Sequence, residues 1–291
     1  MKRLIGLCTL CFFQLSHADL PLTVENLISD KGRFTTELGM IYGNSKINDT
    51  KLGGYVPVQV SESSFINIPT NINNEQLQNE YLVTTLGLKY GLMKDLDISL
   101  RTNFLYTSNR PLNINSNQES QKYTDVSDVT IGLNYQLLQD SKYPALVAFL
   151  ETSILEKNKK ESSNFSSWST GVTTYRSYDP IVLSLTTGYK HNLKRNINTE
   201  GEYKPADLFF FNPQIAFSAN DRISLIAGLT FKALNEQKIN SIVVEKKRNN
   251  IDYNFGVGLG LDNKSNLNIQ TTIHQDFNNS HDIRLNYSRK F

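Results

Sequence analysis

The stretch NNIDYNFGVGLGLD, residues 249–262, alternates without a slip. Ile251, Tyr253, Phe255, Val257, Leu259 and Leu261 occupy one set of positions; Asp252, Asn254, Gly256, Gly258 and Gly260 occupy the other. Successive side chains of a strand point to opposite faces, so this is a strand with one apolar face and one polar or bare face. A helix would mix the two sets, and the glycines would weaken it.

The same period recurs along the chain. Phe34, Leu38, Met40 and Tyr42 oppose Glu37, Gly39 and Gly43. Leu82, Leu86, Leu88, Tyr90 and Leu92 oppose Gly87, Lys89 and Gly91. Ile98, Leu100, Phe104 and Tyr106 oppose Asp97, Ser99, Arg101 and Asn103, and Val129, Ile131, Leu133, Tyr135 and Leu137 oppose Asp128, Thr130, Gly132, Asn134 and Gln136. Ile223, Leu225, Leu229 and Phe231 form another such face, as do Leu267, Ile269, Ile273 and Phe277. Leu146, Leu150 and Ile154 face out against Glu151, and Ile181, Leu183, Leu185 and Tyr189 face out on the next clear strand. Phe209, Phe211, Ile215 and Phe217 follow, with Pro213 placed where no ladder donor is needed. The segment FSSWSTGVTTYRSY reads as a strand with no decisive face. The total is about twelve strands, most near the length of a tilted membrane-crossing strand.

The connections alternate as well. MKDL, DSKYP, DP, ANDR and DNKS are short and rich in turn residues, whereas the connections around 45–80, 109–123, 158–164, 195–205 and 235–245 are longer and polar. Short turns alternating with long loops mark an outer-membrane barrel, with the short turns on the periplasmic side. An even strand count places both termini there. Mean hydropathy is −0.37, a value equally compatible with a soluble β-sandwich, because a barrel's two faces average out. The continuous apolar face and the tyrosines near strand ends (Tyr42, Tyr90, Tyr106, Tyr135, Tyr189) favour the membrane. The expected fold is all-β, a transmembrane antiparallel up-and-down barrel.

The first residues fit that destination. Lys2 and Arg3 precede an apolar run from Leu4 to Phe13, and Ser16-His17-Ala18 ends it. This is the pattern of a cleaved secretory signal, and the run is shorter than the roughly 20 residues of a spanning helix. Cleavage after Ala18 divides the chain into a signal peptide (1–18), a periplasmic N-terminal segment (19–32) and a barrel (33–291). It removes both cysteines, Cys8 and Cys11, so the mature chain has no disulfide, thiolate metal site or cysteine nucleophile. The full chain has 30 Lys+Arg against 28 Asp+Glu; loss of Lys2 and Arg3 balances the charges, which argues against nucleic acid as a partner.

Several stretches together carry a resemblance: DLPLTVENLISDKGRFTTELGMIYGN, TTLGLKYGLMKDLDISLR and FSSWSTGVTTYRSYDPIVLSLTTGYKH. They resemble the outer-membrane barrel family labelled as a putative transporter of the phenol-degradation meta pathway, over nearly the whole mature chain. The barrel of the functional-amyloid export channel of pseudomonads is similar too. That channel carries an added helical plug domain, whereas Asp19–Lys31 is all that precedes the first strand here. The resemblance implies outer-membrane transport in a Gram-negative bacterium, with aromatic or apolar solutes suggested by the family label. Export or assembly of a surface fibre is the second reading, and a lipid-modifying barrel enzyme the third.

No chemistry-bearing motif competes with transport. His191, His274 and His281 have no metal-ligand spacing, and the glycines 256, 258 and 260 share a strand face instead of opening a helix. No catalytic residue, cofactor or metal ligand is assigned. The inward charges matter more: Glu37, Lys89, Arg101, Asp128, Glu151, Lys190, Lys232, Asp252 and Arg284, with His274, are expected to line the lumen. They suit either a charged constriction that selects a small solute or a packed polar interior that holds the barrel shut. The first long connection has its own alternating stretch, Tyr55 to Ile68, expected as a hairpin either above the membrane or folded into the lumen.

The chain ends on DIRLNYSRKF. Ile283, Leu285, Tyr287 and Phe291 alternate up to an aromatic last residue, with Arg289 interrupting the series. Outer-membrane barrels resemble one another in such an ending, which the barrel-assembly machinery reads. The expected partners are therefore outer-membrane lipid, that machinery and a small solute. This last strand is expected to close the barrel against the segment around Phe34–Tyr42.

Overall fold

The computed structural model describes residues 28–47, 55–69, 77–111, 121–158, 161–197, 201–275 and 280–291. The signal-peptide segment lies outside the described residues. In chain order the strands are β1 (Phe34–Ile47), β2 (Tyr55–Gln59), β3 (Phe65–Pro69), β4 (Leu77–Met93), β5 (Leu96–Pro111), β6 (Gln121–Leu138), β7 (Ala145–Asn158), β8 (Glu161–Ser163), β9 (Ser167–Tyr178) and β10 (Ile181–Asn192). There follow β11 (Arg195–Ile197), β12 (Gly201–Lys204), β13 (Leu208–Asn220), β14 (Ile223–Leu234), β15 (Gln237–Ile239), β16 (Ile242–Glu245), β17 (Arg248–Asp262), β18 (Ser265–His274) and β19 (His281–Lys290).

Twelve strands make a closed antiparallel barrel in the order β1, β4, β5, β6, β7, β9, β10, β13, β14, β17, β18, β19. Each pairs with its sequence neighbour in the wall. The ring closes where β19 meets β1, from Thr35↔Lys290 to Asn44↔His281, and Phe291 N–H donates to Phe34 O at 2.9 Å. A closed ring leaves no strand edge unpaired, which is the condition for placing a sheet in lipid.

At the end of the barrel that holds Phe34 and Phe291, the strands turn tightly. Asn220 Oδ1 accepts the N–H of both Arg222 and Ile223 at 2.9 Å, and Asp262 Oδ1 accepts Lys264 N–H at 2.8 Å. These side chains take up the donors the turns leave open. At the other end, β11, β12, β15 and β16 form a separate four-stranded sheet, and β2–β3 form a two-stranded one.

The alternation places the apolar residues outside. Leu86, Leu150 and Phe255 are about half exposed, as are Leu38, Leu100, Ile215, Leu225 and Ile283. A continuous apolar belt of this extent belongs against hydrocarbon, not water. β9, without a clear face in the sequence, turns Trp168 outward and buries Ser167, Ser169 and Thr173. Pro213 sits where the β13–β14 register passes from Phe211↔Phe231 to Gln214↔Gly228, so its missing donor breaks no bond there.

Candidate functional site

The barrel interior is the site, and a hairpin of the chain occupies part of it. β2 and β3 pair from Tyr55↔Pro69 to Gln59↔Phe65 and make no ladder with the wall. Their side chains are nonetheless buried. Val58, Val60, Ile66 and Ile68 pack on Ile41, Tyr81, Val83 and Leu105 of β1, β4 and β5. Across the lumen, Phe65 meets Phe210 of β13 with ring centroids 4.9 Å apart, and Phe210 stacks on Phe149 of β7 at 6.4 Å. Each such apolar side chain contributes about 1.5–3 kcal/mol when buried. Of the two places the sequence allowed for this hairpin, the structure selects the lumen.

Glycines on the inner face make that packing possible. A Cβ on Gly188 would sit 2.7 Å from Phe210 Cζ and 3.0 Å from Phe149 Cζ. The two rings therefore lie on bare backbone of β10. Polar contacts fix the hairpin's ends and tip. Tyr55 N–H donates to Gln237 Oε1 (3.1 Å), Asn67 Nδ2 donates to Asn192 Oδ1 (3.1 Å), and Ser63 Oγ donates to Glu151 Oε1 (3.1 Å). Arg284 Nη2 donates to Gln59 O at 2.5 Å, and Lys190 Nζ to Phe65 O. Tyr55 also stacks on Tyr203 at 5.0 Å. Tyr203 lies in the separate sheet outside the barrel wall, and burial pushes its phenol well above the ordinary value.

The inward charges form two networks. Lys89 Nζ reaches Glu37 Oε1 at 2.7 Å, while Arg101 contacts Glu37 at 3.6 Å and Glu151 at 2.8 Å. Near the opposite end, Lys232 pairs with Asp252 (2.6 Å), and His274 lies between Asp252 (2.9 Å) and Asp282 (2.8 Å). Tyr81 OH donates to Asp282 as well. Asp128 accepts Asn103 Nδ2 at 2.6 Å. Arg101, Asp128, Glu151, Lys190, Lys232, Asp252 and Arg284 are buried, and Glu37, Lys89 and His274 are partly so. Buried charges persist only when compensated; the two networks pair Arg101, Glu151, Lys232 and Asp252, while Asp128, Lys190 and Arg284 are met by neutral groups, Asn103 Nδ2, Phe65 O, and Gln270 Oε1 with Gln59 O. Both ring nitrogens of His274 are engaged by carboxylates, which leaves neither for a serine nucleophile. Among the described residues, no group of His, Cys, Asp and Glu is arranged to hold a metal ion.

The segment before β1 tucks against the short-turn end. Ser29 N–H donates to Asp97 Oδ2 at 3.0 Å, and Gly32 N–H donates to Gly91 O at 2.8 Å. Gly91 has no room for a side chain, because Asp30 and Ser29 backbone lies where its Cβ would be.

Alternation alone does not reveal the apolar part of the lumen. Ile41, Val83, Leu105, Phe149 and Phe210 all point inward, and none belongs to the apolar faces that the period of two picks out. Their signal is local: each interrupts the alternation with adjacent apolar residues, as in Met40-Ile41-Tyr42, Phe104-Leu105-Tyr106 and Phe209-Phe210-Phe211. In a barrel, such a run means that an inner patch needs a cover.

A closed wall with an apolar outside and an ionic inside decides the architecture. This is a transmembrane β-barrel. Its fold is similar to an outer-membrane channel from Pseudomonas putida F1, with 12% identity, a TM-score of 0.62, and coverage of 90% of this chain and 97% of that one. The NanC porin is similar at 8% identity and TM-score 0.51, over 87% of this chain and 100% of the porin. The translocator domain of the autotransporter NalP from Neisseria meningitidis gives 7% identity and 0.52, over 92% and 91%. At these identities the likeness is one of fold. No protein-family model matches the chain, and no curated relative matches it.

Proposed function

We propose that the protein is a channel for passive transport of small solutes across the outer membrane of a Gram-negative bacterium, its lumen regulated by the β2–β3 hairpin. The observation that carries this reading is how the hairpin is held. Side-chain packing and hydrogen bonds from surrounding side chains fix it; it shares no strand ladder with the wall, so it can leave the lumen without breaking the barrel. A filler meant only to stabilise the barrel would need no such separability. The outer-membrane channel and the porin of similar fold support the reading.

The remaining parts follow from it. Residues 1–18 are a signal peptide, 19–32 a periplasmic segment, and both chain termini face the periplasm. Ile283, Leu285, Tyr287 and Phe291 present the terminal signal to the assembly machinery. Glu37, Lys89, Arg101, Asp128, Glu151, Lys190, Lys232, Asp252, His274 and Arg284 line the path and set its polarity. No catalytic role is assigned to any of them. For an aromatic or apolar solute, the class that the family resemblance implies, the surface to use is the Phe149–Phe210 shelf, which Phe65 covers until the hairpin shifts.

Planar-bilayer recording of the refolded full chain tests the proposal. Discrete current steps are expected. Silence from the full chain and from a hairpin-deleted variant alike, with both barrels demonstrably folded, would sink it.

A further inference from the structure

The inner hairpin has a second neighbour besides the wall. The four-stranded sheet of β11, β12, β15 and β16 is built from two connections, one between β10 and β13 and one between β14 and β17. It shares no ladder with the wall and hangs on the rim by its four chain crossings. With the chain termini in the periplasm, this sheet stands on the outer side of the membrane.

Gln237, the first residue of β15, joins the two. Its side-chain amide holds the backbone of Tyr55, the first residue of β2, from both sides. Oε1 accepts Tyr55 N–H at 3.1 Å, and Nε2 donates to Tyr55 O at 3.0 Å. Two residues of an antiparallel ladder exchange their bonds in the same way; here a side chain does it. A primary amide has two donor and two acceptor positions. The second of each is taken within the outer sheet, where Tyr203 OH donates to Oε1 and Nε2 donates to Glu245 Oε2. All four positions are therefore filled, two toward the hairpin and two toward the sheet.

The surroundings keep water out. Gln237 and Tyr203 are each 1% exposed, and the Tyr203 ring stacks on Tyr55 with centroids 5.0 Å apart. The Arg195 guanidinium lies 5.9 Å from the centre of the Tyr55 ring and pairs with Glu156 of β7. A buried polar network with every member satisfied is rigid and fixes one arrangement. By contrast, Lys190 and Arg284 of the wall each reach a single hairpin carbonyl, Phe65 O and Gln59 O.

We infer that Gln237 is a positioning residue of the gate: it joins the β2–β3 hairpin to the outer sheet so that the two shift as one body. Lifting the sheet then draws the hairpin, and undocking the hairpin loosens the sheet, because coupling between two sites is reciprocal. The meaning of the joint as part of a gate rests on the channel reading; the joint itself does not. A Gln237 that only filled a buried space would loosen its own surroundings when replaced, but it would transmit nothing.

The test is a double-mutant cycle read by hydrogen exchange, on the refolded full chain in detergent micelles. The exchange followed is that of β12 and β15, which pair Tyr203↔Ile239 and Lys204↔Lys238. Ile66→Ala loosens the hairpin from its far side, since Ile66 clusters with Ile41, Val83 and Leu105 of β1, β4 and β5, and none of these strands leads into the sheet. Alone, Ile66→Ala is expected to speed exchange in β12 and β15 about fivefold. Added to Gln237→Ala, it is expected to cause no further change. Gln237→Glu keeps the shape but has no donor for Tyr55 O, and it answers the same question if the alanine variant loses heat-modifiable mobility. In bilayer recordings, either Gln237 variant should raise open probability roughly tenfold, from the loss of hydrogen bonds to the hairpin. No effect of Ile66→Ala on the sheet, or the same effect with and without Gln237, overturns the inference. Exchange needs no current, so the two claims separate. Coupling in a silent barrel overturns only the channel, and current without coupling overturns only the joint.

Discussion

Phe65 of the inner hairpin lies against Phe210 of the barrel wall, with ring centroids 4.9 Å apart. Phe210 is fully buried although it sits on the face that faces the lumen. The pair is thus a contact between two parts that share no backbone ladder. Phe65→Ala should remove about 3–5 kcal/mol of docking energy while leaving every wall hydrogen bond intact. The expected outcome is longer and more frequent openings in bilayer recordings, with unchanged heat-modifiable mobility. Identical gating would show that Phe65 does not hold the hairpin.

The glycines beneath that pair should respond unequally. At Gly188 a Cβ meets ring-edge atoms of Phe210 and Phe149, which can tilt away, and the Thr170 carbonyl oxygen at 2.8 Å, which cannot. At Gly171 it meets the Thr187 carbonyl oxygen and the Gly188 backbone, which cannot. Gly188→Ala should therefore alter gating and cost less barrel stability than Gly171→Ala, whose nearest backbone atom is closer, at 2.2 Å. Gly171→Ala should lower stability by about 1–3 kcal/mol, the usual range for overpacking. Urea titration followed by gel mobility distinguishes them, and equal effects would contradict the packing described.

Arg101 bridges Glu37 and Glu151 in the buried network. Arg101→Met leaves Glu151 unpaired inside the barrel and should cost about 3–5 kcal/mol. Adding Glu151→Gln to the same chain removes the stranded charge, so the double variant should be more stable than the single one. Additive losses in a double-mutant cycle would mean the pair is not coupled.

Phe291 donates its N–H to Phe34 O at 2.9 Å, and its ring lies 5.7 Å from the Arg289 guanidinium. Deleting Phe291 unpins the closing strand at the seam and removes the terminal aromatic. Slower appearance of the heat-modifiable form in outer membranes is expected. A normal rate of assembly would count against this role for the last residue.

The wall of this protein could be read from period two because lipid and lumen impose opposite demands on adjacent residues. Ile251 through Leu261 show it, and so does the pairing of Ile283–Tyr287 with Leu38–Tyr42 across the seam. The inward position of Glu37, Arg101 and Asp252 followed from the same parity. Their partners did not, since parity fixes a face but not which strands meet around a ring. The location of the hairpin was hidden for a different reason. Val58 and Ile66 alternate as any hairpin would, and their burial depends on Ile41, Val83 and Leu105, which contact them from other strands.

The most direct measurement of the central claim is unitary conductance before and after Tyr55–Pro69 is replaced by a short Gly/Ser linker. The barrel should still fold, because no wall strand pairs with this hairpin. The account predicts larger and more persistent current steps from the shortened chain than from the full one. Equal conductance in the two folded proteins would contradict it, because the hairpin would then not stand in the conducting path.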